Sequence, residues 1–125
     1  MEQYLAYAGR ILFGGYFVFN AINHFFNVKA MAGYSQSKGI PMPTSSVIGS
    51  GLLLLGGGVS ILFNMYTGIG PWLLVAFLIP VSFSMHAFWR IQDPMVKMSE
   101  MVNFTKNMSL LGAVLVMISG SAFVG

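Results

Sequence analysis

Pro71-Trp72-Leu73-Leu74-Val75-Ala76-Phe77-Leu78-Ile79-Pro80-Val81-Ser82-Phe83-Ser84-Met85-His86-Ala87-Phe88-Trp89-Arg90 is a nearly unbroken apolar run that closes on histidine, tryptophan and arginine. A helix needs about 20 predominantly apolar residues to cross the hydrocarbon core of a bilayer, and this run has that length. Pro80 removes one backbone donor and frees the carbonyl of Ala76, which predicts a bend that shapes a cavity or eases packing.

Three further segments have the same character, so spans are expected at about 4–26, 45–63, 71–89 and 101–124. Backbone groups cannot stay unpaired in hydrocarbon, so each span must be helical or belong to a closed barrel. Barrel strands would alternate polar and apolar residues, and these runs do not. The expected fold class is therefore all-α, an integral membrane bundle of four transmembrane helices forming a single domain over 1–125. Composition agrees: of 125 residues, 56% are hydrophobic and only 7% charged, against about 25% charged in a soluble domain. The lipid bilayer is the natural solvent for such a chain.

The absence of cysteine excludes a disulfide framework, a thiolate metal site and a cysteine nucleophile. The formal net charge of +3 comes from basic residues near span ends, which points to orientation in a membrane and not to nucleic acid. Met1-Glu2-Gln3 lacks a basic leader, so the first apolar run is expected to be a span and not a cleaved signal. The long connections hold Lys29, Lys38, Arg90 and Lys97, with Lys106 at the same end, while Arg10 lies towards the other. The positive-inside rule then places the long connections in the cytoplasm and both termini outside. Trp72, Tyr4, Tyr7 and Tyr66 fall near the outer span ends as an aromatic belt. Gly49, Gly51 and Gly56-Gly57-Gly58 predict that the second span packs centrally, because small residues let helix backbones approach closely.

The informative polar residues share a depth. Asn20, His24 and Asn27 fall on one helical face, as do Ser82, His86, Trp89 and Arg90. Asn103, Lys106 and Asn107 form a third polar stripe at the same level. Polar groups within spans usually face the bundle interior or a water-filled cavity. Arg10 lies on roughly the face of His24, about 21 Å away along the axis, too far for a direct contact. Asn23-His24-Phe25-Phe26 and Met85-His86-Ala87-Phe88-Trp89 echo each other, as a duplicated helix pair would.

Imidazole, amide and ammonium groups can hydrogen-bond the two oxygens of a quinone while an aromatic ring stacks on it. The expected site is His24, His86, Trp89, Asn103, Lys106 and Asn107, supported by Arg10, Asn20 and Arg90. Two histidines on separate helices would also suffice to ligate haem b, a reading that the bulky neighbours disfavour. No metal site is expected, since zinc would want a third or fourth ligand. Asp93 and Glu100 are placed in a connection, where no acidic residue backs a histidine within a span, so nucleophilic hydrolysis lacks its parts. Met95, Met98 and Met101 read as an apolar stripe and not a copper(I) site.

At Gly9-Arg10, Asn23-His24-Phe25, Lys38-Gly39-Ile40-Pro41-Met42-Pro43, His86-Ala87-Phe88-Trp89, Asp93-Pro94-Met95 and Asn103-Phe104-Thr105-Lys106-Asn107-Met108-Ser109-Leu110-Leu111-Gly112, the chain resembles the DoxX family of small membrane proteins. That resemblance implies a four-helix fold in a prokaryotic cell (inner) membrane. It also implies association with quinone handling and membrane redox complexes, since the family name comes from subunits of a thiosulfate:quinone oxidoreductase. A fold hosts several roles, so three readings stand: a quinone-interacting subunit of an oxidoreductase, a non-catalytic accessory or assembly subunit, and a small transporter. The expected partners are the bilayer, a quinone, and a membrane redox complex or a second copy of the chain.

Overall fold

The computed structural model describes residues 1–120, and the described residues are helical without strands. Helix α1 runs Glu2–Phe26, α2 Val28–Ser37, α3 Pro43–Phe63, α4 Gly70–Met85 and α5 Pro94–Ser119, with a 3-10 turn at Phe88–Arg90 between the last two. Four stretches, Glu2–Phe26, Pro43–Phe63, Gly70–Arg90 and Pro94–Ser119, are long and apolar enough to cross a membrane.

Local chemistry sets the ends of these elements. Pro43, Pro71 and Pro94 each sit in a first helical turn, where the missing N–H would have no partner anyway and the fixed φ suits a helix. Asp93 caps α5 by accepting the backbone N–H of Met95 at 3.0 Å. Between α1 and α2 only Asn27 leaves helical geometry, and its amide donates to the carbonyl and side-chain oxygens of Asn23. Helix α3 ends on Asn64 in the left-handed region, and α5 on Gly120 at φ 68°.

Helix α3 lies at the centre, packed against α1, α4 and α2, while α5 packs on α4 and the 3-10 turn. Phe17, Ala21, Leu54, Ile61, Leu74, Leu78 and Val114 form the buried core. Glycines set the spacing of α1 and α3. A methyl group on Gly14 would lie 2.7 Å from the backbone nitrogen of Leu62, and one on Gly58 would lie 2.9 Å from that of Val18. The two backbones therefore meet directly, and Gly51, Gly56, Gly57 and Gly58 of α3 are closely packed within the chain, whereas Gly49 is not. Large apolar side chains such as Leu12, Phe19, Leu52, Phe63 and Ile79 point outwards, a surface that lipid tails solvate and water does not.

Two boundaries differ from the hydropathy pattern, and both matter to the site. The third apolar run was expected to stay helical to residue 89, yet α4 stops at Met85 and His86 already has non-helical angles of φ −117° and ψ 36°. His86, Trp89 and Arg90 therefore do not continue the face of Ser82. The fourth span, expected from 101, starts at Pro94, because the Asp93-Pro94 cap begins a helix regardless of the charges that follow. Lys97 and Glu100 are helical and not part of a connection. The expected end of this span, 121–124, lies outside the described residues. The sequence echo also breaks down: α1 is followed by a ten-residue helix, α4 only by a 3-10 turn.

The α1–α3 contact predicts opposite outcomes at adjacent glycines. Gly14→Ala should destabilise the detergent-solubilised protein by about 1–3 kcal/mol, the usual cost of overpacking. Gly15, whose added methyl would meet nothing within 4 Å, should tolerate alanine or gain slightly from helix propensity. Equal melting temperatures for the two variants would contradict the close approach.

Candidate functional site

Because α5 begins at Pro94, Glu100, Asn103 and Asn107 fall three and four residues apart on one helical face. Glu100 points into the protein, its side chain only 5% exposed. Four donors surround the carboxylate. Oε2 accepts from the Tyr34 hydroxyl at 3.0 Å and from Lys38 Nζ at 3.0 Å. Oε1 accepts from Asn103 Nδ2 at 3.0 Å and from His86 Nδ1 at 3.3 Å. A buried charge is costly unless paired and hydrogen-bonded, and here both oxygens are saturated. The donors come from α2, from the residue that ends α4, and from α5 itself, so one carboxylate ties three elements together.

Tyr34 and Lys38 lie one helical turn apart, and the Lys38 ammonium also sits 5.4 Å from the centre of the Tyr34 ring. Burial, helped by the neighbouring Glu100 charge, pushes the Tyr34 phenol above its ordinary value of 10.0. For Lys38, burial acts to lower the ordinary value of 10.5, but the hydrogen bond to Glu100 and the nearby negative charges outweigh it and raise it.

Next to this network is a cavity of about 590 Å³ walled by all five helices, within the range of about 300–1,000 Å³ typical of small-molecule sites. Leu54, Phe77 and Pro80 give it apolar walls, while His24, His86, Lys106 and Asn107 bring polar groups to it. Ala76 and Pro80 both line it, so the interruption of α4 at proline falls at the cavity wall. Tyr16 and Lys106 line it too and are also exposed on the outer surface. Helices α1 and α5 share no extensive packing; the Lys106 ammonium, 5.8 Å from the Tyr16 ring centre, bridges this side. Tyr34, Ser46, Ala76 and Pro80 likewise are exposed and line the cavity, so its wall reaches the outer surface on several sides.

His24 is 8% exposed, and its Nδ1 lies 2.8 Å from the carbonyl oxygen of Asn20, with the ring edge-on to Phe77. A carbonyl only accepts, so Nδ1 carries the proton. The other nitrogen, Nε2, has no partner among the described residues and remains accessible. Asn107 is 7% exposed, and its amide has no partner among the described residues while its polar atoms stay accessible. Several polar atoms that line the cavity are therefore not consumed by the fold.

Of the residues expected from sequence, His24, His86, Lys106, Asn107 and Asn20 share this cavity. Asn103 does not line it and serves Glu100 instead. Trp89 lies outside, 47% exposed, edge-on to Phe88 and Phe104 and tilted against Phe83. It left the predicted face when α4 ended at Met85. Arg10 and Arg90 do not line the cavity either; Arg90 is exposed, and Arg10 is too far along α1. Glu100, Tyr34 and Lys38 were missed, and the expectation that no acid backs a histidine is overturned by Glu100 beside His86. The signal was present as Asp93-Pro94, a cap and a first-turn proline that bring Glu100 into the helix. A second cavity of about 520 Å³ between α3 and α4 is lined by apolar side chains together with Tyr66 and Ser60, and the Ser60 hydroxyl donates to the carbonyl of Met65. Among the described residues, no three histidine, aspartate or glutamate side chains group together as metal ligands.

The family model described as DoxX matches residues 5–87. No curated protein and no solved structure gave a match. The matched stretch includes His24 and His86 and ends before α5, which supplies Glu100, Lys106 and Asn107.

Replacing Glu100 with glutamine should cost about 1–3 kcal/mol, less than for a fully buried pair because Lys38 is partly exposed. Whichever oxygen became an NH₂ would face two donors. Tyr34 and Lys38 both hold their protons more tightly in the folded chain than when free. Their contribution is therefore complete below about pH 10 and is lost as pH rises through the folded values. Thermal unfolding followed from about pH 9 to 11.5 should show a steeper decline for the wild type than for Glu100→Gln; parallel profiles would contradict the coupling.

Proposed function

The chain belongs to the DoxX family of membrane proteins, and on that premise we propose that it binds the ring of a quinone or quinol in the cavity between α1 and α5. The observation that carries this reading is the meeting in one mostly apolar cavity of His24 Nε2, the Lys106 ammonium and the Asn107 amide, none of which makes a hydrogen bond among the described residues. A lipid-soluble ring needs apolar walls, a few groups for its oxygens, and an entrance from the bilayer for its tail. Phe77 and Tyr16 flank the ring, Lys106 and Asn107 reach its oxygens, and the tail leaves between α1 and α5.

A bound quinone or quinol supplies paired electron and proton chemistry at its oxygens. The chain's own part is to hold protons there. His86 can take or return one at Nε2, because Glu100 at Nδ1 both orients the ring and stabilises the imidazolium that forms. Tyr34 and Lys38 keep the carboxylate in place, and Tyr34 also forms part of the cavity wall. The reading is of a quinone-interacting subunit in a prokaryotic inner membrane, exchanging electrons with a membrane redox complex.

A short-chain ubiquinone analogue, offered in both oxidation states to the detergent-purified protein, should bind saturably. Lys106→Ala and Asn107→Leu should each weaken that binding by roughly 3–10-fold, the worth of one hydrogen bond. Trp89→Phe, outside the cavity, should leave it unchanged. Unaltered affinity in both cavity variants would reject the assignment.

A further inference from the structure

Both cavity histidines are committed at Nδ1. His24 donates there to the carbonyl of Asn20 at 2.8 Å, and His86 donates to Glu100 Oε1 at 3.3 Å. Neither partner has a hydrogen to give: a backbone carbonyl only accepts, and the Glu100 carboxylate, already ringed by donors, has no place for a proton. In the neutral rings Nε2 is therefore a bare lone pair, an acceptor that cannot donate. Neither Nε2 has a partner among the described residues, both remain accessible, and both histidines line the cavity.

Lys106 and the Asn107 amide can donate to a ligand, but they do not discriminate, because a hydroxyl oxygen accepts as readily as a carbonyl oxygen. The imidazole lone pairs do discriminate. A hydroxyl facing Nε2 makes a hydrogen bond. A carbonyl or ether oxygen in the same place sets lone pair against lone pair and leaves Nε2 without the water it lost.

Resting on the ring-binding reading above, we propose that this cavity selects the reduced, dihydroxy-aromatic form of its ligand, a lipophilic hydroquinone whose hydroxyls donate to His24 Nε2 and His86 Nε2. The form with carbonyl oxygens is the weaker ligand, so the protein holds the hydroquinone and releases the quinone. A reaction that reduces quinones would supply this ligand, and one that oxidises hydroquinones would empty the site.

The test compares three ligands that share one ring and one alkyl tail: the hydroquinone, the quinone, and the hydroquinone dimethyl ether. Binding to the full chain in lipid nanodiscs is measured without oxygen at about pH 8. The hydroquinone should bind roughly tenfold more tightly than either other ligand, as expected for one to two hydrogen bonds. His24→Phe and His86→Phe should each shrink that preference by removing an acceptor. A quinone or dimethyl ether that binds as tightly as the hydroquinone overturns the selectivity and leaves the cavity as a ring site. Failure of all three ligands to bind overturns the ring-binding reading and the selectivity with it. Should either histidine variant fail to fold, the three-ligand comparison on the wild type decides the matter alone.

Discussion

A carboxylate in a chain made for lipid has to find its counter-charge and its hydrogen bonds inside the protein, and Glu100 organises one end of the bundle around that need. Its two oxygens take donors from α2, from the end of α4 and from α5. In a low-dielectric setting the loss of any one leaves a charged acceptor short of solvation. The short helix α2 is held towards α5 by this contact, through side chains and not through helix packing. Where apolar surface is solvated equally well by lipid, such polar contacts specify geometry that hydrophobic burial cannot.

Close backbone contact does the complementary work between α1 and α3. Gly14 and Gly58 bring the two helices together, and the core around Phe17, Leu54 and Leu74 holds α3 against its neighbours. Helix α5 is attached on one side only, to α4 and the 3-10 turn, and through Glu100 to α2. The cavity follows from this asymmetry. Four helices closed on every side would fill the interior; here α1 and α5 share no extensive packing, and Lys106 over Tyr16 bridges that side.

The polar residues at this depth divide into two groups by what their atoms already do. Tyr34, Lys38 and Asn103 spend their donors on Glu100. His24 Nε2 and the Asn107 amide have no partner among the described residues, Lys106 meets the Tyr16 ring, and His24 and His86 each commit only Nδ1 to the fold. That division separates residues that hold the site from residues that would meet a ligand. It also explains why Trp89, conspicuous in the sequence, is peripheral, while Phe77 beside His24 is not.

Hydropathy over each span and the glycines of the second span sufficed to establish an all-helical membrane bundle with that span, α3, at its centre. These are local properties: twenty apolar residues require a helix in lipid whatever their neighbours do. The depth of His24, His86, Lys106 and Asn107 followed as well, because depth is only distance along a helix. Direction and partnership did not. Whether His86 continued the face of Ser82 depended on α4 ending at Met85, and whether Glu100 was solvated or buried depended on α5 beginning at Pro94. A break of one or two residues rotates every later side chain by a fraction of a turn, and no hydropathy average registers it. Only the packed structure brings Tyr34 and Lys38 to a carboxylate more than sixty positions away, since that contact exists because charge in an apolar medium must be met from wherever the fold can supply it.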